Sequence, residues 1–256
     1  MTSKVSHMSA KSVVAVPPGV PLYQAVKRKL VDSVRHGEWP PGGVIPSESR
    51  LCQRFGVSMG TIRKAVDELS AEGFLIRQQG RGTFVASHNQ DRYLFAFFHV
   101  ARQDGYKEYP QVELVEFEKI KADAATAGML HVEPGMRLIR FVNKLELSGA
   151  PVVIDQVLLP ESLFPGLTEK RLRERPATLY QFYQENFRVT VIRTEERLRA
   201  VKADAFMARL LGMKTGDPLL QVIRVALSFK DQPVELRHSY VDTRRHEYHA
   251  EPMAAS

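Results

Sequence analysis

The stretch FGVSMGTIRKAVDELSAEG, residues 55–73, decides how the first third of the chain folds. Gly56 suits the left-handed conformation that ends a helix, and Ser58, two residues later, suits the N-cap of the next helix. Apolar residues then recur with the i, i+3, i+4, i+7 spacing of one buried helical face. These residues are Ile62, Ala65, Val66 and Leu69. The stretch therefore predicts the tight turn and second helix of a helix-turn-helix, with Gly73 ending that helix.

Two helices are predicted upstream of this stretch. Pro21 suits the first turn of a helix that ends at Gly37, and Ser47 followed by Glu48 suits the start of a second helix. Their buried stripes consist of Tyr23, Val26, Leu30 and Val34 in the first helix and Leu51 and Phe55 in the second. Residues 39–43, Trp-Pro-Pro-Gly-Gly, predict a rigid turn between the two helices.

Two short, strand-like segments follow the helices, at residues 75–79 and 83–85, on either side of Gly80-Arg81-Gly82. This pattern predicts a hairpin whose tip carries a cation. A helix pair with a glycine turn also occurs in helical bundles, and a Gly-Arg-Gly turn by itself is commonly no more than a turn. Their ordered combination with a preceding helix, within about 65 residues, favours a winged helix-turn-helix.

Positive charge is concentrated in the first third of the chain. Residues 1–87 hold 12 Lys/Arg and 6 Asp/Glu, whereas residues 88–256 hold 24 and 23, within a total net charge of +7. A solvated basic surface is one interpretation of this excess. The sharper interpretation is a domain that binds a polyanion, followed by a nearly neutral domain.

The composition is that of a folded protein. Apolar residues make up 44% and charged residues 25% of the 256 residues, which excludes a mainly disordered chain. No run reaches the ~18–20 apolar residues of a membrane span, and the apolar run at residues 13–16 is too short for a signal peptide. The single cysteine, Cys52, excludes an internal disulfide and a cysteine-cluster zinc site. These features predict a cytoplasmic protein with no membrane partner.

Several short motifs occur in a fixed order between residues 21 and 85. They are PLY (21–23), GEWPPG (37–42), PSE (46–48), FGVS (55–58), TIRKA (61–65), LSAEG (69–73) and GRGTFV (80–85). On these motifs the segment resembles the winged helix-turn-helix of the GntR family of bacterial transcription regulators. The resemblance implies a domain over residues 21–87 that binds double-stranded DNA.

The outer face of the third helix suits contact with DNA, because its first turn has small residues and no acid. Arg63 is expected to reach a guanine edge or a phosphate, and Thr61 a phosphate or a thymine methyl group. The predicted DNA-contacting residues are Ser47, Ser49, Arg50, Ser58, Met59, Gly60, Thr61, Arg63, Lys64, Gln79, Gly80 and Arg81. Family members commonly carry arginine where this chain has Ser49 and Met59. The resemblance therefore does not predict which bases this chain prefers.

The C-terminal two-thirds contains an internal repeat. The run Lys121-Ala122-Asp123-Ala124 recurs as Lys202-Ala203-Asp204-Ala205, and eight of the 29 residues at positions 121–149 are identical at an offset of 81. Each copy predicts a short helix, a strand, a turn and a second strand. Residues 178–185 predict a helix and residues 189–201 a strand between the copies. The alternative is chance similarity between two helix-hairpin stretches. A true repeat predicts an α+β chain, with a pseudo-symmetric, mainly antiparallel C-terminal sheet and helices on one side.

Further motifs accompany the repeat. They are GAPV (149–152), LP (159–160), LFPGL (163–167), LY (179–180) and QPVE (232–235). With the repeat, they make residues 93–250 resemble the ligand-sensing domain of the HutC subfamily, whose fold is similar to chorismate lyase. The resemblance implies that a small-molecule effector is held between the two repeats.

Candidate effector-binding residues are Arg140, Asn143, Asp155, Glu235 and Tyr240. Sugar-phosphate-sensing members carry two arginines where this chain has Asn143 and Leu145, so the cationic pair that grips a phosphate is missing. The acids Asp155 and Glu235 are present, although an ordinary solvent-facing strand acid is the alternative for each. The sequence therefore favours a polyhydroxyl, amine or zwitterionic effector.

No catalytic motif stands out. The chain has no Gly-x-Ser-x-Gly, phosphate-loop or Gly-x-Gly-x-x-Gly pattern, and His246 with His249 gives too few ligands for a metal site. No catalytic residue, metal or cofactor is expected. Two alternatives differ in class: an enzyme of lyase-like fold with a regulatory N-terminal domain, and an architectural nucleic-acid binder without sequence preference. The all-helical and aminotransferase-like branches of the family are disfavoured by the hairpins and the chain length.

The favoured interpretation is a homodimeric transcription regulator, a repressor whose inverted-repeat operator matches its two-fold symmetry. A small-molecule effector is expected to modulate operator binding. The predicted organisation is a flexible arm (1–20), a DNA-binding domain (21–87), a linker (88–92) and an effector-binding domain (93–250).

Overall fold

Two units make up the chain in the computed structural model, which describes residues 20–86, 97–175 and 178–249. The units span residues 1–87 and 88–256. The predicted linker lies outside the described residues, as does the predicted arm apart from Val20. None of the helices in the described segments has the length and apolar character of a membrane span.

The N-terminal unit consists of three helices followed by a hairpin. Its elements are α1 (Leu22–Arg35), α2 (Glu48–Phe55), α3 (Met59–Ala71), β1 (Leu75–Gln78) and β2 (Gly82–Val85). The turn between α2 and α3 forms as predicted. Gly56 adopts a φ of 67°, and the Ser58 hydroxyl accepts a hydrogen bond from the backbone N–H of Thr61 at 3.3 Å. The winged helix-turn-helix is therefore confirmed.

The core of this unit is built from the helical stripes that the spacing predicted. Its buried residues include Val26, Leu30, Leu51, Phe55, Ile62, Ala65, Val66 and Leu69. A bridge between Val44 and Phe84 attaches the loop before α2 to the hairpin. The Lys27 ammonium on α1 lies 3.1 Å from the Glu68 carboxylate on α3, so an ion pair supports the apolar contact between these helices.

One local prediction in this unit is wrong. Ser47 occupies the N-cap position of α2, but its side chain forms no capping hydrogen bond. Its hydroxyl lies 3.0 Å from the Ser49 hydroxyl and is satisfied there instead. Glu48 still places a carboxylate in the first turn of α2, where the helix dipole favours negative charge.

The C-terminal unit contains a six-stranded antiparallel sheet, a separate two-stranded sheet and four short α-helices among its described residues. Its strands are β3 (Val100–Arg102), β4 (Gln111–Lys121), β5 (Arg137–Leu147), β6 (Ala150–Pro160), β7 (Arg193–Lys202), β8 (Pro218–Leu227), β9 (Pro233–Val241) and β10 (His246–Tyr248). Its helices are α4 (Ala124–Leu130), α5 (Glu169–Arg173), α6 (Leu179–Phe187) and α7 (Ala205–Leu211). The predicted α+β class is confirmed.

The large sheet has the order β4-β5-β6-β9-β8-β7, which is symmetric about the β6–β9 pair. The unit β4-α4-β5-β6 therefore corresponds to β7-α7-β8-β9, so each repeat includes one strand more than the sequence identity indicated. The repeat helices begin alike. The side chains of Asp123 and Asp204 accept hydrogen bonds from the backbone N–H groups of Thr126 and Met207, both at 2.7 Å.

The two faces of the sheet are covered differently. On one face, α4 and α7 pack over apolar strand residues that include Leu138 and Val142, and we call it the helix-pair face. The other face carries Phe141 and is covered by Tyr180 and Tyr183 of α6, and we call it the tyrosine face. Because successive side chains of a strand point to opposite faces, each polar strand residue belongs to one of the two.

Candidate functional site

The predicted DNA-contacting residues lie at the start of α2, the start of α3 and the tip of the β1–β2 hairpin. We name them the reading face, which consists of Ser47, Ser49, Arg50, Ser58, Met59, Gly60, Thr61, Arg63, Lys64, Gln79, Gly80 and Arg81. All are exposed except Thr61, which is half-buried. No acid occupies the first turn of α3. The start of α3 therefore presents small and cationic groups to solvent.

The Glu48 carboxylate on α2 connects α3 and β1, two other elements that carry or adjoin the reading face. Glu48 Oε2 accepts a hydrogen bond from Nε of Arg63 at 3.3 Å, and its Oε1 accepts one from Nη2 of Arg77 at 3.0 Å. Nη1 of Arg77 lies 2.6 Å from Asp67 Oδ1 on α3. The Arg63 side chain remains 60% exposed. Its guanidinium is thus restrained in orientation while it stays open to a ligand.

The hairpin tip presents a cation on a glycine turn. Gly80 adopts a φ of 71°, a left-handed value that a side chain disfavours. The neighbouring Arg81 is exposed, and its guanidinium carbon lies 6.0 Å from the centre of the Phe84 ring. The turn therefore holds the positive charge of Arg81 near the end of the hairpin.

Two members of the reading face also contact residues behind it. The Lys64 ammonium lies 4.1 Å from the centre of the Tyr23 ring on α1, a cation–π contact. Met59 Sδ lies 4.0 Å from Cys52 Sγ on α2. These contacts attach the start of α3 to both other helices, which limits its movement.

In the C-terminal unit, a buried guanidinium lies on the tyrosine face. Arg237 donates through Nε and Nη2 to the two oxygens of Glu235, at 2.9 and 3.0 Å, and through Nη1 to Asp155 at 3.1 Å. The hydroxyls of Tyr180 and Tyr183 also donate to Glu235, at 3.1 and 2.8 Å. Glu235 is fully buried, and Arg237 and Asp155 are nearly so. The two predicted acids therefore share one cation and face the interior.

The environment of the two tyrosines keeps them protonated. Burial and the adjacent Glu235 carboxylate raise the pKa of Tyr180 and Tyr183 well above the usual value of 10.0. Both phenols consequently act as hydrogen-bond donors at neutral pH.

A second buried guanidinium, that of Arg224, lies beside this group. Its Nε donates to Glu196 Oε1 at 2.5 Å, and the hydroxyl of Tyr248 donates to Glu196 Oε2. Burial opposes the charge on Glu196, but Arg224 and Tyr248 outweigh it and hold the pKa of this carboxyl below its ordinary value. Arg224 and Arg237 are cations on the tyrosine face that sequence reasoning missed.

Asn143 is the cross-strand neighbour of Asp155 on the tyrosine face. It is 1% exposed, and its Oδ1 accepts no hydrogen bond from any described residue. Asp155 Oδ1 accepts a hydrogen bond from the Ser239 hydroxyl at 2.5 Å. The structure thus brings together three of the predicted effector-binding residues, Asn143, Asp155 and Glu235.

The other two predicted effector residues lie on the helix-pair face. Nη1 of Arg140 donates to Glu116 and Glu118 at 3.0 and 2.6 Å. The Tyr240 hydroxyl accepts a hydrogen bond from Gln221 at 2.9 Å. The five candidates therefore do not form one site, because residues on the same strands divide between two faces of the sheet.

A sequence signal for the missed Arg237 does exist. In β9, the polar residues Glu235, Arg237 and Ser239 occupy every second position of an otherwise largely apolar strand, which is the pattern of one polar face. No comparable signal distinguishes Tyr180 and Tyr183 from ordinary core residues of α6. Within the described segments, no group of three His, Cys, Asp or Glu side chains is arranged to hold a metal ion.

Two family models match the chain, one in each unit. Residues 22–85 match the model described as "Bacterial regulatory proteins, gntR family", and residues 106–247 match the UTRA domain. The chain belongs to the GntR family. Its C-terminal unit is a UTRA domain, and the predicted HutC-type membership is confirmed.

Several similar proteins are named as transcriptional repressors. The chain is 30% identical to the "Probable fructoselysine utilization operon transcriptional repressor" of Escherichia coli O157:H7, over 88% of this chain and 96% of that protein. It is 31% identical to the "Histidine utilization repressor" of Pseudomonas putida, over 84% of this chain and 85% of that protein. The similarity thus extends through both units.

A solved structure agrees with the fold of the C-terminal unit. The ligand-binding domain of a GntR-family transcriptional regulator from Bordetella bronchiseptica is similar with a TM-score of 0.57 and 31% identity. The match covers 60% of this chain and 95% of that domain. This GntR-family chain is therefore a DNA-binding transcription regulator whose C-terminal unit is an effector-binding domain.

Proposed function

We propose that this GntR-family regulator is a cytoplasmic homodimer that represses transcription at an inverted-repeat operator and is released by a small molecule. It acts by binding and carries out no catalysis. The observation that carries the proposal is the exposed start of α3, where small residues and the Arg63 guanidinium face solvent, in the same unit as a hairpin whose tip carries the Arg81 cation. This combination fits a major groove and the adjoining backbone.

On DNA, the proposed binding domain spans residues 21–87 and uses the reading face. Gly60 and Met59 let α3 approach the groove floor, where Arg63 and Thr61 contact base edges. The hydroxyls of Ser47, Ser49 and Ser58, with the cations of Arg50 and Lys64, contact phosphates. The hairpin tip of Gln79, Gly80 and Arg81 lies along the backbone or in the minor groove. Phosphate contacts set the position and base contacts set the sequence preference.

Two chains of the same sequence suit an operator with two-fold symmetry, because each reading face then meets an identical half-site. The sign of regulation is proposed from the relatives, which are named as repressors of fructoselysine and histidine utilization. Repression follows when a bound dimer occupies DNA that the transcription machinery needs.

We place the effector in the domain of residues 93–250, on the tyrosine face beside Asn143, Asp155 and Glu235. This face combines buried, hydrogen-bonded polar groups with an apolar surround, as small-molecule sites do. Binding there changes the spacing of the two DNA-binding domains in the dimer. By linkage, an effector that weakens operator binding must itself bind less tightly to the DNA complex.

The proposal is tested with the full chain and an operator that it selects from a random duplex library. Arg63→Ala is expected to abolish the preference for that operator over random DNA, with the melting temperature unchanged, because Arg63 is exposed. For six or more phosphate contacts, operator affinity falls by roughly 10³-fold between about 50 and 200 mM salt. Normal operator preference in Arg63→Ala, or affinity insensitive to salt, would refute the assigned interface.

A further inference from the structure

The two halves of the tyrosine face carry different groups at equivalent positions. The sheet pairs Asn143 with Asp155 in the first repeat and Arg224 with Arg237 in the second. Repeat offsets of 81 and 82 residues make these two pairs equivalent. The second half thus contributes guanidinium donors, while the first half contributes a carboxylate and an amide.

The guanidiniums of the second half are already paired within the protein. Arg224 donates to Glu196, and Arg237 donates to Glu235 and Asp155. Among the described residues, this network contains three carboxylates and two guanidiniums, so its formal charge is −1. An anionic ligand placed here would compete with internal acids for both cations and would add to the negative charge.

The amide of the first half provides an independent sign of a ligand. Asn143 is 1% exposed, and its Oδ1 accepts no hydrogen bond from any residue in the described segments. A buried acceptor without a donor is destabilising, so native proteins rarely keep one unless something else supplies the donor. Since Asp155 stands directly across the strand pair, a carboxylate lies beside this acceptor.

We infer that the effector carries a protonated amine, whose N–H groups donate to Asn143 Oδ1 and to the Asp155 carboxylate. An ammonium group offers up to three donors and no acceptor, and its charge offsets the −1 of the network. A phosphate would instead offer acceptor oxygens and negative charge. The inference rests on the proposal that the tyrosine face is the effector site, and it specifies the chemical class which that site takes.

The test uses matched probes that differ in one group. Glucosamine, glucose and glucose 6-phosphate share a ring, and 5-aminopentanol and 1,5-pentanediol share a chain. Each is added at millimolar concentration to the full chain, and both the melting temperature and the release of the selected operator are measured. The amines are expected to raise the melting temperature and release DNA, whereas their hydroxyl and phosphate counterparts are not.

Two variants locate the effect. Asn143→Leu keeps a similar volume and removes the unsatisfied acceptor, so the unliganded protein is expected to melt at a higher temperature. Its Kd for the active amine is expected to rise at least about tenfold, a loss of about 1.4 kcal/mol. Gln156→Leu removes an amide at the next residue of the same strand pair, on the helix-pair face, and is expected to leave the amine response unchanged.

Each result has a defined consequence. Release by glucose 6-phosphate in the wild type and Asn143→Leu alike would overturn the amine inference and leave the sensor proposal standing. No response to either amine would overturn the amine inference but would leave the proposed effector site standing. An amine response lost in Gln156→Leu but kept in Asn143→Leu would place the effector on the helix-pair face, and would overturn both the inference and the proposed site.

Discussion

At the scale of single residues, the acid Glu48 lies beside the proposed DNA-binding surface, where its negative charge alone would be unfavourable. A carboxylate beside a surface that binds phosphates weakens attraction to DNA. Yet Glu48 hydrogen-bonds both Arg63 and Arg77, and so restrains the Arg63 guanidinium that we propose contacts base edges. A long side chain held in one orientation loses less entropy on binding. We therefore propose that Glu48 lowers the affinity for DNA of any sequence and improves the discrimination between sequences.

Glu48→Gln is expected to bind random duplex DNA more tightly and to discriminate less. Removing one negative charge raises affinity for every sequence, while loss of two exposed ion pairs frees Arg63. Exposed pairs contribute about 0.2–1 kcal/mol each, so loss of both should change the operator-to-random ratio of Kd values by about twofold to 30-fold, toward less discrimination. Binding titrations with the selected operator and a random duplex of equal length measure both values.

The matched control for this prediction is Glu68→Gln. It also removes one negative charge, but from α3, where the Glu68 carboxylate pairs with Lys27 of α1. Its effect on random DNA should be similar, since net charge changes equally, while the operator-to-random ratio should stay at the wild-type value. A ratio that Glu48→Gln leaves unchanged would show that Glu48 does not position Arg63.

Local signals explain why the fold that carries the reading face was more predictable than the grouping of the candidate effector-binding residues. Helix caps, stripes and a glycine turn act within a few residues, so Gly56 and Ser58 were placed correctly from sequence. The groups around Glu235 come from far along the chain: Tyr180 is 55 residues away from it, and Arg237 reaches Asp155 across 82. Such partners depend on strand register, which a single sequence does not reveal.

At the scale of elements, the β6–β9 pair joins the two repeats, and an ion pair crosses it. Asp155 on β6 and Arg237 on β9 occupy equivalent positions of the two repeats and bond to each other. Both are nearly fully buried. Removing one partner of a buried ion pair leaves an uncompensated charge, which costs more than the intact pair contributes.

Arg237→Leu is therefore expected to lower the free energy of unfolding by about 3–5 kcal/mol. Urea denaturation of the full chain at neutral pH measures the loss for the C-terminal unit. Adding Glu235→Gln to the variant should recover part of it, because one unpaired carboxylate is then gone. Arg197→Leu, at an exposed position of β7, should change stability by less than about 1 kcal/mol. Equal effects of the two arginine substitutions would contradict the proposed importance of this pair.

The elements themselves were predicted unevenly. The hairpins β5–β6 and β8–β9 follow from their apolar patterns and turns, and α6 overlaps the helix predicted at residues 178–185. The edge strand β4 was missed, because a register irregularity between Leu114 and Glu116 interrupts its period of two. Its exposed acids also resemble a loop more than a strand. Edge strands lack a neighbour on one side, so their sequences carry a weaker apolar signal.

At the scale of the whole molecule, the excess charge of the first 87 residues and the proposed two-fold symmetry act together. A homodimer presents two identical reading faces, so each contributes the same free energy to operator binding. Specific sites bind roughly 10³–10⁷ times more tightly than random DNA, or about 4–10 kcal/mol. Half of that, about 2–5 kcal/mol, belongs to each half-site if the dimer is symmetric.

Replacing either half-site of the selected operator with random sequence is thus expected to weaken binding by at least about 30-fold. The two single replacements should raise the Kd by equal factors, and replacing both half-sites should raise it by the product of those factors. Light scattering of the complex should give two 29.0 kDa chains per duplex. One chain per duplex, or a large effect at only one half-site, would mean that a single reading face makes the specific contacts. The effector would then have no pair of domains whose spacing it could change.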